Sequence, residues 1–438
     1  MIGASVAGLL AARALTDHYE TILLLDRDHL PATPQHRAGT PQDRHAHTLF
    51  SAGLAAVEGF FPGFSAEFQA HGGYVADVGA DLAIATRHGW GVRMPTHNYI
   101  MGSSRALLEY LIRRRVSALS QVVLYDQHRV LGLAGSTTHI DSVIVADSQH
   151  NLPTAISADL VIDASGRGSR LPAWLRNLGC ANVPEIVIDA HVGYASRLFT
   201  VSEIDVEPDW RGCYVLETGP SVTRGGILAL FDSGTWIATL TGIGKDRPNP
   251  ADAAFLPFAR SLITPIIADT LAAATPLTSV ICGASTQNRL RRFDTIPIPG
   301  NLVALGDSVC SFNPLYAQGM TAAALSARVL ARCLFERGPD DPALSRHYHR
   351  QLRSRLAPLW MLSTSADLRY PTTDGPRPQI VQRLASSYLD RLLAAGTRSH
   401  RAQKAFLDVI TMIKHPHTAA APSVLAAAAI NGHQPTIF

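Results

Sequence analysis

A chain of 438 residues is longer than one hydrophobic core usually supports, which argues for at least two domains. With 47% hydrophobic and 17% charged residues a disordered chain is excluded, and a net charge of +3 with no dense basic block gives no reason to expect a nucleic-acid partner. Five scattered cysteines without a CxxC pair argue against a disulfide framework or zinc and for a reducing cytoplasm, and no apolar run is long enough to span a bilayer.

The chain opens MIGASVAGLLAARALTDHYETILLLDRD, a glycine turn leading into an alanine- and leucine-rich helix and then an apolar strand that ends at Asp26. In a dinucleotide-binding unit such a turn lets backbone amides approach a pyrophosphate, and an acid roughly 20 residues on binds a ribose hydroxyl. Ser5 stands where the motif has its middle glycine, and only Met1-Ile2 precede Gly3 where a strand of about five residues is expected. The chain start is therefore expected to lie inside the first strand, or the sheet to carry a stub at its centre.

Further on, Gly73 to Pro95 reads as strands of a substrate layer, and Arg113-Arg114-Arg115 as the solvated end of a helix. Apolar Leu160-Val161-Ile162 runs into Asp163-Ala164-Ser165-Gly166-Arg167-Gly168-Ser169-Arg170, a strand ending in a close-approach turn. Glu185 to Phe199 and Gly225 to Gly242, with a turn at Asp232-Ser233-Gly234-Thr235, read as an antiparallel sheet with a hairpin. Leu302 to Leu305 is a buried strand, Gly306-Asp307 its polar end, and Gly319 opens an alanine-rich helix after Pro314 to Gln318. Asp307 can accept a hydrogen bond from a sugar-like hydroxyl, and the helix amides can face an electron-rich ring edge. From Asp340 the apolar period is helical, broken by Pro371, Pro376 and Pro378. No histidine, cysteine or carboxylate cluster has metal-ligand spacing, so no metal is expected.

Five segments, Gly3 to Arg13, Arg37 to His47, Ser104-Arg105, Asp163 to Leu175 and Gly306 to Thr321, together resemble the FAD-dependent monooxygenase family. That family takes in aromatic hydroxylases and squalene epoxidase-like enzymes, and the likeness is nearest to the epoxidases of polyether biosynthesis. It runs in register through about residue 335. The resemblance implies an α/β (α+β overall) protein, with a Rossmann-like FAD-binding domain (1–75, 98–180 and 285–338) interleaved with an antiparallel β-sheet substrate domain (76–97 and 181–284), and C-terminal helices over 339–438. By the same resemblance Gly3, Ser5, Ala7 and Gly8 cradle the pyrophosphate, Asp26 with neighbouring Arg27 meets the adenosine ribose, and Val130 meets the adenine through its backbone. Arg44 and Arg105 lie on the flavin side, and Asp163 and Gly166 in a loop used for cofactor contacts. Gly306 and Asp307 bind the ribitol or pyrophosphate, and Pro314, Gln318, Gly319 and Met320 border the isoalloxazine. Ala317 departs from the family's frequent glycine and is expected to narrow the approach to the ring.

The activity so implied is insertion of one oxygen atom from O2, through a flavin C4a-hydroperoxide, into a hydrophobic small molecule, with NADPH or NADH as reductant. Alkene epoxidation or hydroxylation in secondary metabolism is the expected outcome. Arg44, His45 and His47 are the candidate catalytic side chains, although an alkene needs no protein base. A reductase or dehydrogenase without oxygen transfer, or a non-catalytic flavoprotein, stays open as the alternative. A flavin halogenase does not, since that pattern has a WxWxIP motif and a lysine in the N-terminal half, and the first lysine here is Lys245.

Overall fold

The computed structural model describes residues 1–147, 152–200, 209–378 and 380–432. After the glycine turn comes α1 (Val6–Leu15), buried on almost every side, followed by β1 (Ile22–Leu25) and β2 (Leu82–Thr86). Next is α2 (Arg105–Ser117), whose first turn is capped where Ser104 Oγ accepts from the Leu107 amide at 3.0 Å. The strands β3 (Val122–Tyr125), β4 (Val161–Asp163), β5 (Val192–Phe199), β6 (Gly212–Val215), β7 (Arg224–Leu230), β8 (Trp236–Ile243) and β9 (Leu302–Ala304) follow. The chain then becomes helical as α3 (Gly319–Arg337), α4 (Leu344–Asp367), α5 (Ile380–Gly396) and α6 (His400–Ile410), with a last helix at Pro422–Asn431.

β3 pairs in parallel with β1, and β4 in parallel with β9. What joins the two pairs is Ile2. Its amide donates to Ile162 O and its carbonyl accepts from Ala164, both at 2.8 Å, while Gly3 donates to Leu25 O at 2.8 Å on the other side. The sheet thus runs β3, β1, Ile2, β4, β9, and the expected stub at its centre consists of this one bridging residue with its neighbours. Strands β4 and β9 are buried on both faces, as parallel strands packed between helices should be. Helices α1 and α3 share that core through Leu9, Leu10, Ala324 and Leu330.

The second sheet has seven strands, with β5, β8, β7, β6 and β2 in that order between two short edge strands, Ile281–Gly283 beside β5 and Gly89–Trp90 beside β2. The hairpin expected at Asp232 to Thr235 joins β7 to β8. Two expected members lie elsewhere. Glu185–Ile188 pairs with Asn288–Arg291 in a separate sheet, and Tyr74–Asp77 pairs with Tyr99–Ser103, because their cross-strand partners come from the nucleotide-binding part of the chain. One face of the seven-stranded sheet, with Ala195, Leu228, Ala238 and Leu240, buries itself against Phe255–Arg260 and Ile266–Thr270. Alternation puts Tyr194, Ser196, Thr239 and Thr241 on the other face.

The arginine run corrects the sequence reading at one position. Arg114 and Arg115 reach the surface to pair with Glu67, but Arg113 is buried and donates to Pro31 O, tying α2 to the loop after β1. No helix among the described residues is long and apolar enough to cross a membrane.

Candidate functional site

The site forms where α1 and α3 both point their first turns at the loop after β9. Gly3, with φ of 97°, packs so closely that a Cβ on it would stand 2.6 Å from Ala164 O, and one on Gly8 would stand 1.9 Å from Gly3 O. These glycines let α1 start against the sheet edge with its unpaired first-turn amides uncovered. Ser5, at the N-cap, does not cap: its hydroxyl donates to Glu109 Oε2 at 2.7 Å and accepts from Arg105 Nη2 at 2.5 Å.

From the other side, Gly306 (φ 61°) abuts the first turn of α1, where a Cβ would come 2.9 Å from Ala7 Cβ. Asp307 follows, and a Cβ on Gly319 would lie 3.8 Å from its Oδ1. Both helix N-termini therefore flank Gly306-Asp307. Burial pushes the Asp307 pKa up, against the pull of Arg167, Arg105 and Arg291, and no group among the described residues donates a hydrogen bond to its carboxyl. Arg105 Nε and Gln318 Oε1, buried on either side, are likewise without partners among the described residues. Three orphaned polar groups around two helix N-termini match a ligand bearing phosphates, hydroxyls and a polar ring edge. FAD is such a ligand, and the residues fit it.

Asp26 ends β1 with its carboxylate accepting from the Ala4 amide at 2.8 Å and the Asp28 amide at 2.9 Å. Behind it sits a cluster that sequence reading overlooked. Arg37, almost wholly buried, lies 2.7 Å from Asp28 Oδ2, 2.7 Å from Glu109 Oε1 and 3.6 Å from Asp26 Oδ1. Burial opposes its charge, but Glu109 and Asp26 outweigh it and raise the pKa. Burial would lift Glu109 too, yet Arg105 and Arg37 bring it below the usual carboxylate value. The signal was available, since Glu109 falls one helical turn after Arg105 and Arg37 heads the RxGxPQ segment.

Other expected residues are placed differently. Asp163 spends its carboxylate inside its own loop, on Ser165 N (3.0 Å), Ser165 Oγ and Ser169 Oγ (both 2.5 Å). Gly166, in the left-handed region, donates to Ser308 Oγ at 2.9 Å and so binds that loop to the Asp307 turn. Arg27 is exposed beside Asp28, and Arg44 is exposed with no ion pair among the described residues. Arg27 thus touches the cluster only at its exposed rim, 3.9 Å from Asp28 Oδ1, and Arg44 does not join it. Val130 is buried in a strand alongside Val145 next to a bulge, and Pro314 is exposed at the loop tip while Met320 is buried in α3.

His47 begins a short strand paired with Ser103, and His45, two residues earlier, reaches the polar face of the seven-stranded sheet. His45 Nδ1 is 2.8 Å from Ser196 Oγ, which shares a 2.6 Å hydrogen bond with Thr239, and its ring meets Tyr194 edge-on at 4.3 Å. Nδ1 of His47 contacts His45 O at 2.8 Å. Burial, reinforced by Arg44, lowers His45 to about 4, and burial with Arg105 lowers His47 to about 3. Both rings are therefore neutral at physiological pH.

The loop before α3 is held from the C-terminal helices, a constraint no local motif reveals. Asp367 at the end of α4 accepts from Asn288 Nδ2 (2.6 Å), Asn313 Nδ2 (3.0 Å) and Tyr316 OH (2.7 Å). Ala317, expected to narrow the approach, has φ of 50°, a left-handed conformation in which glycine is unstrained. Among the described residues no cluster of three metal-ligating side chains occurs.

No known family profile matches the chain. Over 419 residues it is 32% identical to Protein Rv3254 of Mycobacterium tuberculosis, a match covering 90% of this chain and 85% of that one. The chain belongs to the family of Protein Rv3254. Its fold agrees over 98% of both chains with a flavoprotein/dehydrogenase from Cytophaga hutchinsonii (TM-score 0.70, 12% identity). It agrees also with p-nitrophenol 4-monooxygenase PnpA of Pseudomonas putida DLL-E4 (TM-score 0.65, 14% identity), covering 99% of this chain and 98% of that one. This family member thus has the fold shared by these two flavoenzymes, a Rossmann-type unit beside a mixed seven-stranded sheet.

Proposed function

We propose that the protein is an FAD-dependent monooxygenase acting on a hydrophobic small molecule. The overall change is NAD(P)H, a proton, O2 and substrate going to NAD(P)+, water and the oxygenated substrate. The observation that carries the reading is the convergence of α1 and α3 on Gly306 and the unpartnered Asp307. Within residues 76–97 and 181–284, the seven-stranded sheet forms the substrate layer in this reading, and epoxidation of an alkene or hydroxylation in secondary metabolism is the outcome.

The bound FAD supplies the redox chemistry, accepting hydride from the nicotinamide and reacting with O2 when reduced. The chain's own work is to bind, orient and keep water out. First-turn amides of α1 take the pyrophosphate, Asp26 a ribose hydroxyl, and Asp307 a hydroxyl of the ribityl chain. Gln318 and the α3 amides meet the ring edge, with the loop from Asn313 locked by Asp367. Neutral His45 and His47, fixed by Ser196 and the His45 carbonyl, wall the space between flavin and sheet without offering a proton at pH 7. Excluding water protects reactive intermediates from side reactions.

Turnover of a substrate library by the holoprotein under oxygen-18 gas tests the assignment. Product carrying the heavy label from O2 supports it. Conversion by FAD-loaded protein with no label in any product would establish instead the reductase or dehydrogenase reading.

A further inference from the structure

Resting on the monooxygenase reading, we propose that Glu217 is the polar anchor of the substrate space, hydrogen-bonding an oxygen atom of the substrate. The sheet register places it. β6 runs Gly212 to Val215 and delivers Glu217 two residues past its end, with its carboxyl against Gly225 and Thr241, whose Cα atoms pair across β7 and β8. Thr241 Oγ1 donates to Glu217 Oε1. Gly225 leaves the room for it, since a Cβ there would stand 2.4 Å from the carboxyl carbon. This is the polar face that also carries Tyr194, Ser196 and Thr239 and that meets His45, opposite the face sealed by apolar side chains.

A carboxyl in this place is not explained by the fold. No arginine, lysine or histidine among the described residues pairs with it, unlike Glu109 or Asp26, and apart from Thr241 its only hydrogen-bond contact is its own backbone amide. The facing hydroxyls are already committed: Tyr316 donates to Asp367 and Tyr370 donates to Val222 O at 3.1 Å. Glu217 is only half-buried, yet burial pushes its pKa up to about 8, with Asp367 adding to the shift. Its carboxyl is desolvated yet keeps surface on which a bound ligand can meet it. In neutral solution it is mostly the acid, a hydrogen-bond donor, and leaving a donor unmet in a water-poor space disfavours a pure hydrocarbon there. The preferred substrate therefore carries a carbonyl or hydroxyl oxygen beside its apolar frame.

The test uses the holoenzyme, with 1-naphthol and naphthalene as probes and the flavin absorbance change as the readout of binding. Wild type should favour 1-naphthol over naphthalene by about 10-fold, roughly one good hydrogen bond. Glu217→Leu should bind the two alike with its FAD retained, while Glu217→Gln, which still donates, should restore the preference and so exclude a folding defect. Equal binding of the two probes by wild type, or an undiminished preference in Glu217→Leu, overturns the anchor. Failure of the underlying reading looks different, because product formed by the FAD-loaded protein under oxygen-18 gas would then carry no label, whatever the two probes do.

Discussion

The hydroxyl of Tyr316 donates to Oδ1 of Asp367 at 2.7 Å, tying the loop before α3 to the end of α4 across 51 residues of chain. Replacing Asp367 with alanine strands this donor together with the side-chain amides of Asn288 and Asn313, at roughly 1–3 kcal/mol for each before relaxation. The expected result is a lower thermal midpoint and faster protease cleavage within 313–318. An unchanged midpoint and cleavage pattern would mean the loop is held by something else.

Arg37 should matter more than its place at the head of a motif, with no role assigned to it there, suggests. Arg37→Met leaves Asp26, Asp28 and Glu109 facing one another with only Arg27, Arg105 and Arg113 at the margin as cations. Breaking a buried ion-pair network by removing one partner costs about 3–5 kcal/mol. Chemical denaturation should show a loss of that order, and FAD titration a weaker affinity. Stability within about 0.5 kcal/mol of wild type, the usual range for a surface substitution, would show the network to be incidental.

Ala317→Gly is expected to stabilise. The left-handed conformation costs an L-residue about 1 kcal/mol that glycine does not incur, and half or more of that should be recovered against glycine's greater unfolded-state freedom. Differential scanning calorimetry would register a raised midpoint with FAD bound. A lowered midpoint would mean the Ala317 methyl makes contacts that outweigh the strain.

Glu217 gives stability a pH signature. Its pKa is raised from an unfolded value of 4.5 to about 8 by burial, so folding favours the protonated form. The contribution is fully present below pH 4.5, declines as pH rises towards 8, and is level above it. Glu217→Gln removes the titration, so its stability relative to wild type should climb between pH 5 and 8. Parallel stability curves for the two proteins over that window would contradict the burial of this carboxyl.

How far the sequence discloses all this depends on the range of each interaction. Turns at Gly3, Gly306 and Gly319 are legible because steric need and residue type coincide over a few positions. The existence of β4 and β9, though not their pairing, follows from two apolar runs with polar ends. Arg37 with Glu109, Tyr316 with Asp367 and Thr241 with Glu217 are contacts between distant segments, and no local period encodes them. Strands misassigned between sheets, Tyr74–Asp77 and Glu185–Ile188, fail for the same reason: alternation says that a strand exists but not which edge it pairs with. Asp163 shows the reverse case, a residue whose motif suggested a ligand while its carboxylate serves its own turn.

The central claim is that two helix N-termini and Asp307 hold FAD, and equilibrium titration of the apoprotein with FAD, wild type against Asp307→Ala, tests it most directly. The account predicts one FAD per wild-type chain and an affinity at least about 10-fold weaker for a folded Asp307→Ala protein. Folded wild type that takes up no FAD, or an Asp307→Ala protein that binds it as tightly, would contradict it.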